Sequence, residues 1–165
     1  MAALARRVPS LWVSVSVTTR KPRPGEIEDV NYHFVDDAEF DRMVAAGEFL
    51  EYATYGSARY GTLRRPVEQH LAAGVPALLE IDLQGARQVR AAMPGAFCVF
   101  LAPPSWQELV RRLVGRGTES PQVAQARLER ARLELAAEAE FDAVVVNESV
   151  EQARDELITL LRLRV

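Results

Sequence analysis

Two arginines in a proline-rich loop are the first residues of the sequence suited to binding an anion. Arg20 and Arg23 lie on either side of Pro22, directly after a predicted strand. Proline restricts the backbone, and planar guanidinium groups match phosphate oxygens with paired hydrogen bonds. The alternative is that both are solvated loop arginines. Tyr32 and Tyr60 are either hydroxyl donors to the same phosphate or half-buried packing residues.

Glu51 stands in an otherwise apolar predicted strand, where an unpaired carboxylate is costly. A guanine edge would satisfy this side chain, because N1–H and the exocyclic amino group are adjacent donors that one carboxylate accepts together. Adenine offers no such pair of donors. The alternatives are that Glu51 faces solvent or pairs with an arginine.

A second set of arginines lies in the C-terminal half of the sequence. Arg112 and Arg116 are four residues apart, so they share a helix face or the turn that ends it, and Arg127 follows in the next predicted helix. Converging arginines would stabilise a transferring phosphoryl group, whereas separate ones would form a solvated face. Glu80 and Asp82 end an apolar strand and could hold a metal-bound water or contact a nucleoside; otherwise they are an ordinary strand end.

The remaining reactive side chains are interpreted as structural. His33 and His70 lack ligand spacing with any cysteine or carboxylate pair, and Cys98 lies in the apolar run 96–101, which is typical of a buried thiol rather than a nucleophile. A single cysteine cannot form an internal disulfide, which fits a reducing cytoplasm.

Composition excludes several classes of protein. The chain has 165 residues, a net charge of -3 and 48% hydrophobic residues, which is ordinary globular usage rather than a disordered or fibrous chain. The longest apolar stretch, residues 96–104, is about half the roughly 20 residues that span a bilayer. The mildly acidic balance gives no support for nucleic-acid binding. We therefore expect a soluble cytoplasmic protein, and the sequence indicates no oligomeric state.

Strand and helix patterns alternate along the chain, which favours an α/β fold with a parallel sheet. In such sheets ligands bind beyond the carboxyl ends of the strands. The predicted strands are 12–17, 32–35, 49–54, 77–82, 97–101 and 143–146, and the predicted helices are 37–46, 63–73, 105–113, one that starts at 120 and one over about 151–163.

Five motifs, in this order along the chain, closely resemble the guanylate kinase family. They are SVSVTTRKPRPGEIEDVNYHF (14–34), GEFLEYATYGSARYGT (47–62), LEIDLQGA (79–86), FLAPPSWQELVRRLVGRGTES (100–120) and VVVNES (144–149). The resemblance implies a P-loop nucleoside-monophosphate-kinase-like parallel sheet flanked by helices, in a single domain over 1–165. It also implies a small GMP-binding lobe over about 18–75 and a lid over about 111–128.

The same resemblance implies an enzyme of purine nucleotide metabolism that transfers the γ-phosphoryl group of ATP to GMP, with magnesium. By motif position, the guanine readers are Ser16 and Glu51 with Asp82 nearby. The GMP phosphate site contains Arg20, Arg23, Tyr32 and Tyr60 with Thr62 adjacent, and Glu80 lies near the magnesium and the GMP site. The lid and phosphoryl-clamp residues are Arg112, Arg116 and Arg127, and Asn147 lies where the family approaches the adenine.

One part of the family pattern is not in the sequence. Lys21 is the only lysine and precedes Pro22, so no P-loop segment of the form GxxxxGK[ST] occurs. Residues 1–7 resemble the helix that follows this loop in the family. We therefore expect the first strand and the P-loop to be absent, the natural protein to extend upstream of Met1, and the chain as given to bind ATP weakly with little or no turnover.

Two alternatives to the enzyme remain. The first is a noncatalytic guanylate-kinase-like module that binds phosphorylated partners; such modules tend to lose the GMP-site pattern, which is retained here. The second is a non-functional fragment of a longer gene product, which is compatible with the kinase assignment.

Overall fold

The computed structural model describes residues 2–114 and 121–162, so the predicted clamp residue Arg116 lies outside the described residues. Helices and strands alternate, which confirms the predicted α/β class. The helices are α1 (Ala2–Arg7), α2 (Asp37–Ala45), α3 (Arg64–Ala72), α4 (Leu83–Ala92), α5 (Trp106–Val114), α6 (Pro121–Ala136) and α7 (Val150–Leu160), with a 3-10 turn at Glu138–Glu140. The strands are β1 (Trp12–Val13), β2 (Val17–Thr18), β3 (His33–Phe34), β4 (Phe49–Tyr55), β5 (Ala58–Leu63), β6 (Ala77–Leu78), β7 (Val99–Ala102) and β8 (Ala143–Val146).

The described strands form three sheets. Two are parallel pairs, β1 with β6 and β7 with β8. The third has the order β3-β2-β5-β4, in which β2 and β3 are parallel and the other neighbours are antiparallel. Strands β4 and β5 are joined by a tight turn at Gly56, whose φ is 63°. The long hairpin that they form makes up two of the four strands of this mixed sheet.

Strand β4 lies between two hydrophobic clusters. Phe49 packs with Val17 and the α2 residues Phe40 and Met43, whereas the next residue, Leu50, packs with residues of α3 and α4. Successive side chains of a strand point to opposite faces, so each cluster holds one face of β4. Burial of a side chain the size of Phe or Leu stabilises a fold by about 1.5–3 kcal/mol. The start of β4 is therefore anchored from both sides.

One predicted strand is two strands in the structure. The sequence predicts a continuous strand over 12–17, but the chain leaves β1 after Val13 and pairs again only from Val17. The reason is that the two ends serve different sheets: Val13 pairs with Leu78 of β6, and Val17 pairs with residues of β3 and β5. The predicted strand over 77–82 is likewise paired only at Ala77–Leu78.

The contacts divide the chain into two compact units, the first ending at Ala96 and the second beginning at Phe97. The mixed sheet lies in the first unit, and the β7–β8 pair lies in the second. The prediction of a single domain over 1–165 stays a prediction. Among residues 2–114 and 121–162, no helix is long and apolar enough to cross a bilayer.

Candidate active site

A cleft of about 420 Å³ lies in the first unit. Its nine lining residues come from the mixed sheet, from the loop before β2 and from the segment between β6 and α4. The structure brings six of the predicted site residues together here, namely Ser16, Tyr32, Glu51, Tyr60, Glu80 and Asp82. The other three lining residues are Ala53, Tyr55 and Ile81.

Glu51 is a buried carboxylate in the wall of this cleft, with a side chain only 5% exposed. The pairing of β4 with β5 shifts register between Phe49 and Glu51, which places Glu51 opposite Thr62. The Thr62 hydroxyl donates to Oε1 of Glu51 at 2.6 Å. Within residues 2–114 and 121–162, no cationic side chain pairs with this carboxylate. Glu51 therefore retains acceptor capacity that the protein itself does not use.

The surroundings of Glu51 raise its pKa above the usual carboxyl range. Burial is the largest cause, and the nearby charge of Asp82 adds to it, while the hydrogen bond from Thr62 acts in the opposite direction. A ligand that donates hydrogen bonds to this carboxylate would stabilise the charged form and so bind better when Glu51 is ionised.

The close approach of α4 to Glu51 depends on a glycine. A Cβ atom built at Gly85 would collide with Oε2 of Glu51 and would lie 3.2 Å from Cβ of Ile81. Asp82 caps the same helix, because its carboxylate accepts a hydrogen bond from the Gly85 N–H at 2.9 Å. At the start of α4, Asp82 therefore lines the cleft, and the missing side chain of Gly85 leaves room for Glu51.

The loop that carries the two predicted phosphate-binding arginines is organised by Glu26. Its carboxylate accepts two hydrogen bonds from the Arg20 guanidinium, at 2.8 and 3.0 Å, and one from the backbone N–H of Arg23 at 2.7 Å. These bonds lower the pKa of Glu26, so the carboxylate stays ionised at neutral pH. Arg23 itself is exposed.

Aromatic rings connect this loop to the cleft. The Arg20 guanidinium lies 5.3 Å from the ring centroid of Tyr32, within the range of a cation–π contact. Tyr32 and Tyr60 meet edge to face, with ring centroids 6.0 Å apart, and both line the cleft. The Arg20 guanidinium therefore lies against one of the two phenol groups that line the cleft, and the cleft wall also contains carboxylates.

The chain is similar to known proteins of one family. The family model described as guanylate kinase matches residues 2–163 of the chain. The chain belongs to the guanylate kinase family. A guanylate kinase of Thermobifida fusca is 68% identical over 158 residues, which cover 96% of this chain and 81% of the relative. A guanylate kinase of Frankia casuarinae is 63% identical over 161 residues, which cover 98% of this chain and 88% of the relative.

The fold comparison gives the same family. The crystal structure of guanylate kinase from Anaplasma phagocytophilum matches with a TM-score of 0.83 at 36% identity, over 98% of this chain and 80% of that one. The sequence-based assignment to the guanylate kinase family is therefore confirmed, as is the α/β fold with helices flanking its sheets.

Three predicted GMP-site residues of this guanylate kinase family member, Arg20, Arg23 and Thr62, are not among the residues that line the cleft. The buried Thr62 hydroxyl donates its hydrogen bond to the Glu51 carboxylate, and its predicted place adjacent to the phosphate site stays a prediction. Arg23 contributes its backbone N–H to the loop, and no side-chain contact of Arg23 to the cleft is described.

The predicted ATP-side residues lie in the second unit. Glu108 of α5 accepts hydrogen bonds from Arg111 and Arg112, each as short as 2.7 Å, and these bonds lower the pKa of Glu108 to about 2. Arg112 also approaches the backbone carbonyl of Asn147 at 3.4 Å, just beyond the end of β8. Arg127 lies on α6. The structure thus brings Arg112 and Asn147 together.

The sequence did not identify two supporting residues, although both lie in the motifs over 14–34 and 79–86. Glu26 follows Gly25 in the arginine loop, and Gly85 follows Asp82 by three residues. A carboxylate six residues after an arginine has no fixed geometry in a loop, so nothing in the sequence indicated the Arg20 pair. A glycine in the first turn of a helix was the available signal for a close approach, because glycine lowers helix stability there.

Proposed function

We propose that the cleft of the first unit binds GMP as the phosphoryl acceptor of the ATP:GMP phosphotransferase reaction. The observation that carries this proposal is Glu51: a buried carboxylate in the cleft wall that is hydrogen-bonded to Thr62 and pairs with no described cation. Guanine presents two adjacent N–H donors that suit such a group, and adenine does not. Family membership supports the same reaction.

The proposed roles follow the positions of the side chains in the cleft. Glu51 reads the guanine donors with Ser16 and Asp82 beside it, and Thr62 orients Glu51 through its hydroxyl. Arg20, Tyr32 and Tyr60 bind the GMP phosphate, supported by Arg23. We favour the enzyme over the noncatalytic binding module, because such modules tend to lose the GMP-site pattern, which this sequence retains.

The proposed ATP side consists of Arg112, Arg116 and Arg127 as phosphoryl-clamp residues, with Asn147 near the adenine. In-line attack by a GMP phosphate oxygen requires no covalent intermediate, so catalysis would rest on positioning and charge. Magnesium bound with ATP would neutralise charge on the transferring group. The exposed carboxylate of Glu80 is of the oxygen-donor type that magnesium prefers, so the residues present fit that ion.

The sequence contains no lysine-bearing phosphate loop, and we propose that the first strand and the P-loop of the family are absent from these 165 residues. The 165 residues alone would then bind ATP weakly. We also propose that the protein is cytoplasmic. Calorimetric titration with ATP tests the first point: tight binding of ATP by the 165-residue chain would contradict it.

Calorimetric titration of the 165-residue chain with GMP and with AMP tests the proposed function. GMP is expected to bind at least tenfold more tightly than AMP, since each hydrogen bond to a charged group contributes about 1.5–3 kcal/mol. Equal binding of the two nucleotides, or no binding of GMP, would refute the guanine site.

The phosphate end of the site gives a separate prediction. Replacing Glu26 with glutamine removes the charge that holds the Arg20 guanidinium, so we expect GMP and IMP to bind about 3- to 10-fold more weakly, by the same factor, because both carry the same phosphate. Calorimetry with both nucleotides measures this. Glu68→Gln is the control, since Glu68 is exposed on α3 and pairs only loosely with Arg64 at 3.7 Å. A change in the GMP-to-IMP ratio would contradict a role confined to the phosphate.

A further inference from the structure

Helix α4 contacts the neighbourhood of Glu51 through residues spaced three apart. Asp82, Gly85 and Gln88 fall on one side of the helix, because residues three apart are neighbours on a helix surface. Asp82 lines the cleft, and Gly85 leaves room for the Glu51 carboxylate. The sequence interpretation and the proposed roles use neither Gln88 nor its partner on β4.

Gln88 forms two hydrogen bonds with the peptide groups of one residue of β4. Its Oε1 accepts from the backbone N–H of Tyr52 at 3.1 Å, and its Nε2 donates to the Tyr52 carbonyl at 2.8 Å. Strand β4 is at the end of the sheet order, so these backbone groups face away from β5. The carboxamide therefore makes the pair of bonds that a neighbouring strand would make.

The hydrogen bonds from Gln88 hold the residue next to Glu51. Tyr52 directly follows Glu51, and the register of the hairpin shifts just before it, between Phe49 and Glu51. A shifted register leaves this part of β4 less constrained by β5 than a regular ladder. The hydrogen bonds from Gln88 constrain the edge of β4 that faces away from β5. Gln88 lies on α4, the same helix that the Glu51 carboxylate approaches at Gly85.

We propose that Gln88 is a positioning residue for base recognition: its two bonds to Tyr52 hold β4 against α4 and so direct the Glu51 carboxylate at the guanine. The inference rests on the proposed function, because the role has meaning only if Glu51 reads the base. Its contribution is one of orientation. Gln88 need not contact the nucleotide.

The test compares Gln88→Met, which keeps the size of the side chain and removes both hydrogen bonds, with Gln69→Met, the same change at an exposed position of α3. Calorimetry measures GMP and IMP binding to each 165-residue chain. IMP shares the ribose, the phosphate and N1–H with GMP but lacks the exocyclic amino group, so it reports on everything except the second donor. Hydrogen exchange at the Tyr52 N–H reports whether the hydrogen bonds between Gln88 and Tyr52 are lost.

For Gln88→Met we expect the dissociation constant of GMP to rise about tenfold, that of IMP to change less than about threefold, and the Tyr52 amide to exchange faster. Gln69→Met should match the wild type. If Gln88→Met does not fold, Gln88→Glu, which keeps an acceptor for the Tyr52 N–H but loses the donor, is expected to show the same order of effects.

Two outcomes overturn the proposal in distinguishable ways. A wild-type chain that does not prefer GMP to AMP overturns the guanine site and the role of Gln88 with it. A wild-type chain that prefers GMP, together with a Gln88→Met chain whose GMP-to-IMP ratio is unchanged, overturns the role of Gln88 alone.

Discussion

Replacement of Glu51 by glutamine is expected to weaken GMP binding by on the order of 10- to 100-fold and, at the same time, to make the ligand-free protein more stable at neutral pH. The loss of affinity has a simple cause. In the proposed complex, two guanine donors face the two oxygens of the Glu51 carboxylate. The glutamine amide would offer one oxygen, which Thr62 already uses, and an N–H₂ group that faces the guanine donors.

The gain in stability follows from the raised pKa of Glu51. Burial raises that pKa above its value in the unfolded chain, so the folded protein binds the proton more tightly. The resulting contribution to stability is present below the unfolded pKa and is lost as pH rises through the folded pKa. At neutral pH the ionised Glu51 is therefore a cost, which a neutral glutamine does not carry.

Thermal unfolding without ligand, measured from acidic to neutral pH, tests the expected gain in stability. The difference in Tm between Glu51→Gln and the wild type should grow as pH rises and become constant above the pKa of Glu51. Glu39→Gln is the matched control: Arg42 lowers the pKa of the exposed Glu39, so its removal should not stabilise the protein or alter GMP binding. Unchanged discrimination between GMP and AMP in Glu51→Gln would contradict the guanine-reading role.

Addition of one methyl group at Gly85 is expected to weaken GMP binding by on the order of tenfold and to destabilise the fold. Two effects oppose each other at this position. Alanine stabilises a helix interior by roughly 0.8–1 kcal/mol relative to glycine. However, the new Cβ would collide with the Glu51 carboxylate, and overpacking costs about 1–3 kcal/mol. The clash wins because Glu51 is enclosed and cannot move away freely.

Gly95→Ala is the control, because a Cβ there would meet no atom within 4 Å and Gly95 has no positive φ. Chemical denaturation and GMP calorimetry measure both variants. A double-mutant cycle isolates the cause: with Glu51→Ala in the background, Gly85→Ala should cost much less stability than in the wild type. The same cost in both backgrounds would show that Glu51 is not what the methyl group meets.

The alternation of apolar and polar residues predicted much of the local structure. The helix over 37–46 and the strand over 143–146 agree with α2 and β8 to within one residue. The predicted start of the helix over 105–113 is also correct, since the Ser105 hydroxyl caps α5 by accepting from the Glu108 N–H at 3.1 Å. These features depend on neighbours in the chain, so local pattern is enough to predict them.

Other elements were missed because distant partners decide them. Strand β5 has no strong periodic signal, yet it pairs with both β2 and β4. The predicted strand over 12–17 divides in two because its ends pair in different sheets. Pairing partners far along the chain override local preference in each case.

The sequence by itself determined the family, through the order of its motifs, and identified Glu51, Arg20 and the tyrosines as candidate site residues, since their side-chain chemistry is readable without coordinates. Only the tertiary structure decided how they are held. Thr62, Gly85, Glu26 and Gln88 act through contacts of 2.6–3.1 Å or through the absence of a side chain. Such contacts depend on strand register and helix placement, which residue types alone do not specify.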